Sequence, residues 1–584
     1  MHACDGSHCR HAPNIPLTQT PSSDNPPTKK DFPIKPVHFL IAFMIYLSLL
    51  TVMPLTEPDE ARYSAIPSAM NATGDYVTPR LKGTVYLEKP PLCYWATALS
   101  FRAFGENEFS ARLFSALCAW GCILLVYSMG AYHHGAKTGL YAAAVLATSL
   151  FPFILGRMNI LDMPLAFFVS AALWCGYRHF SEGGKGKTQI CLLYLFSAFA
   201  FLAKGLIGLV FPFAILGLWL VLSGRWRELP KIFSLWGIVA FFAVAGPWLI
   251  LVQKANPDFL WFFFVQEHFL RYTTSGHGKH EPFYFFIPIL IAGSMPWCAL
   301  LLKAAKESGT GIASRFQPSE RAFLLTWVAF IFLFFSISSS KLVPYIAPVF
   351  LPLAVFMGHI FRIHDDEAKG PDRKKAAGIV SELPVIFSSL LFLALLFVPP
   401  FLRERGIPFQ QWWPWIVIPA CMQILILFLP RLVQKRRNGG WFATVCMLTF
   451  LYLSSLAFPL SQFLTPYKSA RPLAAAVQEH VPAGRELYQY GISLYGIDFY
   501  GRIRTPIVED IGELRPGVEK LNPEEKNHYF LGYETFQERL RREGEIYCAA
   551  KYRNIERLKK EVPLSRVLWN NGYYYLLHLK AGNG

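Results

Sequence analysis

At 584 residues, with 53% hydrophobic, 16% aromatic and only 16% charged residues, the chain is too apolar for an ordinary soluble protein, where charged residues average about 25%. A formal net charge of +17 suits nucleic acid only when the basic residues cluster on one folded face, and here they are dispersed in short segments between apolar runs. Composition therefore sets aside the soluble enzyme and the nucleic-acid binder and predicts a polytopic α-helical membrane protein.

Taken in order, residues 1–36 are rich in Pro, Ser, Thr and Asn and predict a disordered tail. Within it Cys4, His8, Cys9 and His11 look like a metal site in residue type only. The first apolar run begins near Val37 with no small-residue cleavage site behind it, so it reads as a retained helix rather than a signal peptide. Further runs long enough to cross about 30 Å of hydrocarbon follow at 111–131, 138–155, 163–180, 232–252, 283–302, 322–338, 342–361, 383–402, 412–429 and 441–460. The stretch 189–223 is too long for one span, and Lys204-Gly205 near its middle marks a turn, which gives about thirteen helices in a membrane domain spanning 37–460. Most of the eleven cysteines lie inside these runs as small hydrophobes, not as a disulfide framework.

Orientation is read from the basic residues. Lys29, Lys30, Lys35, Lys137, Arg225, Arg227, Lys231, Lys303, Arg373, Lys374, Lys375, Lys435 and Arg436 fall in one alternate set of loops, which predicts that this set and the N-terminus are cytoplasmic. The other set holds the loop 56–110, the turn with Arg157 and Asp162, Lys204, the segment 253–282 with Glu267, His268 and Arg271, and the turn with Lys341. Every unusual polar residue near a helix end is thus expected on one face, as an active site requires. Residues 461–584 alternate strand-like runs at 486–490, 528–532, 545–552 and 573–579 with amphipathic helical segments, which predicts a small periplasmic α/β domain above that face.

The densest chemistry lies in TEPDEARYSAIPSAMNATGDYVTPRLKGTVYLEKPP, residues 56–91. Asp59 can accept a proton or bind a cation and Arg62 can grip a phosphate, although Pro58, Asp59 and Glu60 also suit a plain helix N-terminus. Tyr86, Glu88 and Lys89 precede two prolines that stiffen the chain, and a snorkelling lysine is the bland alternative. The aromatic stretch after them, including Tyr94 and Trp95, predicts an interfacial helix bordering a lipid entrance. His268 with Glu88 is a candidate pair for a divalent cation, against an ordinary interfacial histidine. Tyr345 is either a belt aromatic or a sugar-stacking group. No nucleotide-binding glycine pattern is present in this stretch, and no cofactor is required by the residues.

Together TEPDEARY, GDYVTPRLKGTVYLEKPPLCYW, GRMNILDMPL, FLAKGLIGLVFP and SSSKLVPYIAPVFLPLA resemble, in content and order, the motifs of the bacterial aminoarabinose transferase family, within the protein-mannosyltransferase-like GT-C glycosyltransferases. The resemblance reaches to about Phe361. It implies transfer of a sugar, foremost 4-amino-4-deoxy-L-arabinose, from a polyprenyl phosphate donor to lipid A at the periplasmic side of the inner membrane. Other sugars, protein hydroxyl acceptors and lipid-linked sugar transport are the alternatives. It implies Asp59, Asp162 and Lys89 as catalytic residues. Glu60, Arg62, Tyr63, Tyr86, Glu88, Lys204, Glu267, His268, Arg271, Lys341 and Tyr345 match substrate-binding positions.

Overall fold

The structure is a computed structural model and describes residues 36–184, 186–270, 281–300, 318–367, 373–396, 409–435, 441–562 and 564–581. The N-terminal tail with its Cys/His group, Arg271 and the His/Gly segment that follows it lie outside the described residues, as does the side chain of His268.

Apolar runs become helices because a backbone in hydrocarbon must satisfy its N–H and C=O groups internally. Helix α1 spans Pro36–Ser48; α2 (Asp59–Thr73) and α3 (Leu92–Phe104) belong to the following loop. The bundle continues with α4 (Glu108–His134), α5 (Ala136–Thr148), α6 (Leu150–Leu155), α7 (Asp162–Ser181), α8 (Lys187–Lys204), α9 (Leu206–Leu222) and α10 (Leu235–Ala255). Later helices include Pro318–Ile337, Phe350–Glu367, Arg373–Leu396, Phe409–Lys435 and Trp441–Ser455. Among the described residues six helical stretches are long and apolar enough to cross a bilayer: 108–134, 187–204, 235–255, 318–337, 343–363 and 442–468.

The bundle differs locally from uninterrupted spans. The run 138–155 breaks at Ser149, whose extended backbone separates α5 from α6, and the last run breaks between Ser455 and Ala457. The break at Gly205 falls where the sequence places it: this glycine has φ +86° and ends α8 beside α9. Helix α5 and the helix 350–367 approach so closely that a Cβ on Gly358 would overlap the Ala142 backbone, the small-residue packing expected where no hydrophobic drive separates lipid from protein.

The loop after α1 contains α2, a two-residue antiparallel ribbon β1 (Arg80–Leu81) and β2 (Thr84–Val85), and α3. Beyond Lys468 lies a six-stranded sheet, β3 (Leu487–Tyr490), β4 (Ile507–Val508), β5 (Phe530–Leu531), β6 (Glu545–Lys551), β7 (Leu564–Asn570) and β8 (Tyr574–Lys580). Its order is β5-β4-β3-β6-β8-β7, with β5, β4, β3 and β6 parallel and β8 antiparallel to both β6 and β7. The strand order turns back at β3, with β4 on one side of it and β6 on the other, and in open parallel sheets ligand-binding groups come from loops at the carboxyl ends of the strands. Here those loops meet the segment around α2: Glu57 accepts hydrogen bonds from the N–H groups of Tyr495 (3.2 Å) and Gly496 (2.7 Å), and Glu513 pairs with Arg62.

Candidate functional site

Two adjacent acids of α2 take opposite roles because successive residues of a helix point about 100° apart. Asp59 is 56% exposed and bonds Arg62, whose guanidinium also pairs with Glu513 and faces the rings of Tyr63 (5.0 Å) and Tyr86 (5.8 Å). Glu60 is 1% exposed and turns into the core. Its oxygens accept from Arg112 at 2.7 and 2.9 Å and from the N–H groups of Thr56 (3.0 Å) and Asn159 (2.9 Å). Burial pushes its pKa up, but Arg112 beside it more than offsets that and holds the carboxyl below its ordinary range. Glu60, expected from the sequence to bind substrate, is engaged below the surface, where it ties α2 to α4 and to the turn before α7.

That turn leads into Asp162, at the start of α7, whose Oδ1 accepts from Lys204 Nζ at 2.5 Å. The Lys204 ammonium also lies 4.8 Å from the centre of the Tyr345 ring. Lys89 Nζ donates to Glu267 at 3.3 Å, and the Tyr86 hydroxyl donates to Glu88 at 3.1 Å. Burial raises the pKa of Glu88, with Lys89 opposing the shift and the charges of Glu267 and Glu513 reinforcing it.

These groups converge on Tyr63. Burial pushes its hydroxyl pKa up, and Arg62, Asp59, Asp162 and Glu88 all act on it electrostatically. Its ring lies 6.1 Å from that of Tyr94. Tyr94 is 0% exposed, so it packs behind the site and does not border a lipid entrance; Trp95, half-buried, donates its indole N–H to the Tyr76 carbonyl at 2.8 Å. Lys341 stands apart from this group: its ammonium donates to the carbonyls of Ser338 (2.7 Å) and Glu281 (3.0 Å).

A cleft of about 840 Å³ opens beside Glu88 and Glu267. Trp261 and Phe262 of the π-helical segment Trp261–Leu270 form one wall, and the C-terminal domain supplies the other through Glu513 and Arg515. The backbone of His268 belongs to that segment, and among the described residues no group of three metal-ligating side chains forms. The sequence reading missed Glu513. It sits in an exposed polar stretch with no local pattern, and only its approach to Arg62 across the chain marks it.

Residues 88–251 match the family described as dolichyl-phosphate-mannose-protein mannosyltransferase. The chain is 31% identical over 339 residues to the undecaprenyl phosphate-alpha-4-amino-4-deoxy-L-arabinose arabinosyl transferase of Edwardsiella ictaluri, covering 57% of this chain and 60% of that protein. It is 29% identical over 429 residues to the transferase of the same name from Serratia proteamaculans, covering 72% of this chain and 76% of that one. The chain thus spans about three fifths of the length of the Edwardsiella relative. In three dimensions it is similar to the crystal structure of ArnT from Cupriavidus metallidurans bound to undecaprenyl phosphate, with a TM-score of 0.79 and 23% identity over 93% of this chain and 97% of that one. The chain is thus similar in sequence, over more than half its length, to aminoarabinose transferases, and similar in fold to ArnT.

Proposed function

We propose that the protein is a glycosyltransferase that moves 4-amino-4-deoxy-L-arabinose from a polyprenyl phosphate to lipid A at the periplasmic face of the inner membrane. The observation that carries this reading is the gathering of the Asp59–Arg62 pair, of Asp162 with its partner Lys204, and of Glu88 around Tyr63, with the Lys89–Glu267 pair acting on Glu88. The names of the relatives and the undecaprenyl phosphate bound by the ArnT structure support the donor class. The distribution of Lys and Arg supports a cytoplasmic N-terminus and a periplasmic C-terminal domain.

In this reading an oxygen of the acceptor attacks the anomeric carbon of the sugar, and the bond from that carbon to the phosphate oxygen breaks. The electron pair leaves with the polyprenyl phosphate. Lys89, held at the edge of the cleft by Glu267, stabilises the developing charge. A phosphate acceptor is already ionised at pH 7 and needs no base, so Asp59, fixed by Arg62, orients the sugar; a hydroxyl acceptor would instead give Asp59 its proton. Asp162 and Lys204 hold the opposite side of the site, with Tyr345 over the lysine. No nucleotide takes part.

The test gives purified enzyme a labelled prenyl-phosphate sugar and offers phosphorylated and dephosphorylated lipid A side by side. Transfer to the phosphorylated lipid alone is expected. Equal transfer to both would favour a hydroxyl acceptor, and a requirement for a nucleotide sugar would overturn the donor assignment. Cysteines placed at the exposed Thr73 of the loop after α1 and on the surface of the C-terminal domain are expected to react with an impermeant reagent in intact spheroplasts; protection of both would invert the topology.

A further inference from the structure

The ribbon β1–β2 reverses at Lys82 and Gly83, both with left-handed backbone (φ +52° and +73°), and this turn is inserted into the C-terminal domain. A Cβ on Gly83 would overlap the ring of Tyr529. The Lys82 side chain is only 3% exposed. Its ammonium pairs with Asp498 and donates to Thr505, reaching the carbonyl at 3.2 Å as well as the hydroxyl. The Thr505 hydroxyl in turn bonds Asp498 and receives the Gln489 amide at 2.6 Å, so the network closes on itself. Burial pushes Lys82 and Asp498 toward their neutral forms, and the charge of each opposes that shift in the other. Across the same interface a Cβ on Gly517 would overlap the Val85 carbonyl and the Thr84 hydroxyl.

Such an anchor has a direct route to the chemistry. The strand leaving the turn runs straight into Tyr86, Glu88 and Lys89, while the domain that receives the lysine carries Glu513 onto Arg62. We propose that Lys82 is a positioning residue for the transfer reaction: its insertion between Asp498 and Thr505 locks the C-terminal domain to the loop and so fixes both Lys89 and Arg62. This role rests on the transferase reading. It makes the C-terminal domain a wall of the active site rather than an appendage, and its physical basis is that a lysine buried against a carboxylate, here Asp498 with the charge of Glu57 nearby, leaves an uncompensated charge when either partner is removed.

The experiment measures turnover per folded molecule and KM for a labelled prenyl-phosphate sugar in the full chain. Lys82→Met and Asp498→Leu are each expected to lower kcat about tenfold or more with KM changing far less. Lys82→Arg is expected to keep most of the rate. The double variant Lys82→Met/Asp498→Leu, which removes both charges of the pair, is expected to recover turnover even where the single variants fold poorly. Wild-type kcat in folded Lys82→Met, or a double variant that folds and stays inactive, would overturn the positioning role and leave the transferase reading intact. A wild-type enzyme that leaves the donor unconsumed would instead bring down the transferase reading, and this role with it.

Discussion

Asp59→Asn, Lys89→Ala and Asp162→Asn are each expected to slow sugar transfer by at least about tenfold, roughly 1.4 kcal/mol of barrier, without loss of insertion or folding. Asp59 is exposed, Lys89 half-buried and Asp162 buried against Lys204, and each substitution removes charge with little change in side-chain packing at the site end of the bundle. Lys89→Ala removes the cation paired with Glu267 at the cleft and leaves Glu267 facing Glu88, whose carboxyl burial already raises; the loss is therefore expected in kcat more than in KM. Asp162→Asn frees Lys204, and Asp59→Asn frees one side of Arg62. Single-turnover measurements with labelled donor check the result, and near-normal rates in all three would reduce these charges to surface features.

The largest loss of stability is expected from Arg112→Met. Arg112 is 3% exposed and donates to both Glu60 oxygens and to the carbonyls of Leu50 (2.7 Å), Met53 (2.5 Å) and Pro54 (3.1 Å). Its removal leaves a buried carboxylate and three carbonyls without their donor, a cost of about 3–5 kcal/mol. Pairing it with Glu60→Leu removes the orphaned charge, and most of that loss is expected to be recovered. Thermal unfolding in detergent of the two variants and the wild type reads the difference; an Arg112→Met protein as stable as wild type would show that Glu60 finds another partner.

Both predictions turn on which of two neighbouring acids faces the site, and that is where sequence and structure divide. Hydropathy is a local property, so the apolar runs, the break at Gly205 and the amphipathic helices Arg471–His480, Tyr533–Glu543 and Tyr552–Glu561 are legible without a fold. The motif order likewise marks Asp59, Lys89, Asp162 and Lys204 as the residues to examine. Strands β3, β5, β6 and β8 fall within the strand-like runs of the sequence, whereas β4, two residues long, does not, and β7 carries register shifts that blur its period. The split of α5 from α6 is equally silent, because the run through Ser149 stays apolar and only the backbone there departs from helix.

What the sequence by itself determined is the membrane class, the chemical types available at one end of the bundle and the two acids of α2 as candidates. Only the tertiary structure decided between those acids. Glu60 is claimed by Arg112, 52 residues away, and Asp59 is left to Arg62. Tertiary contact likewise brought Glu513 onto Arg62 and Lys82 into Asp498, and buried Tyr94 behind Tyr63. The reason is physical: a side chain's charge is fixed by its residue type, but its direction and partner are fixed by packing, and the partners that settle this site come from segments whose separation in the chain leaves no periodic trace.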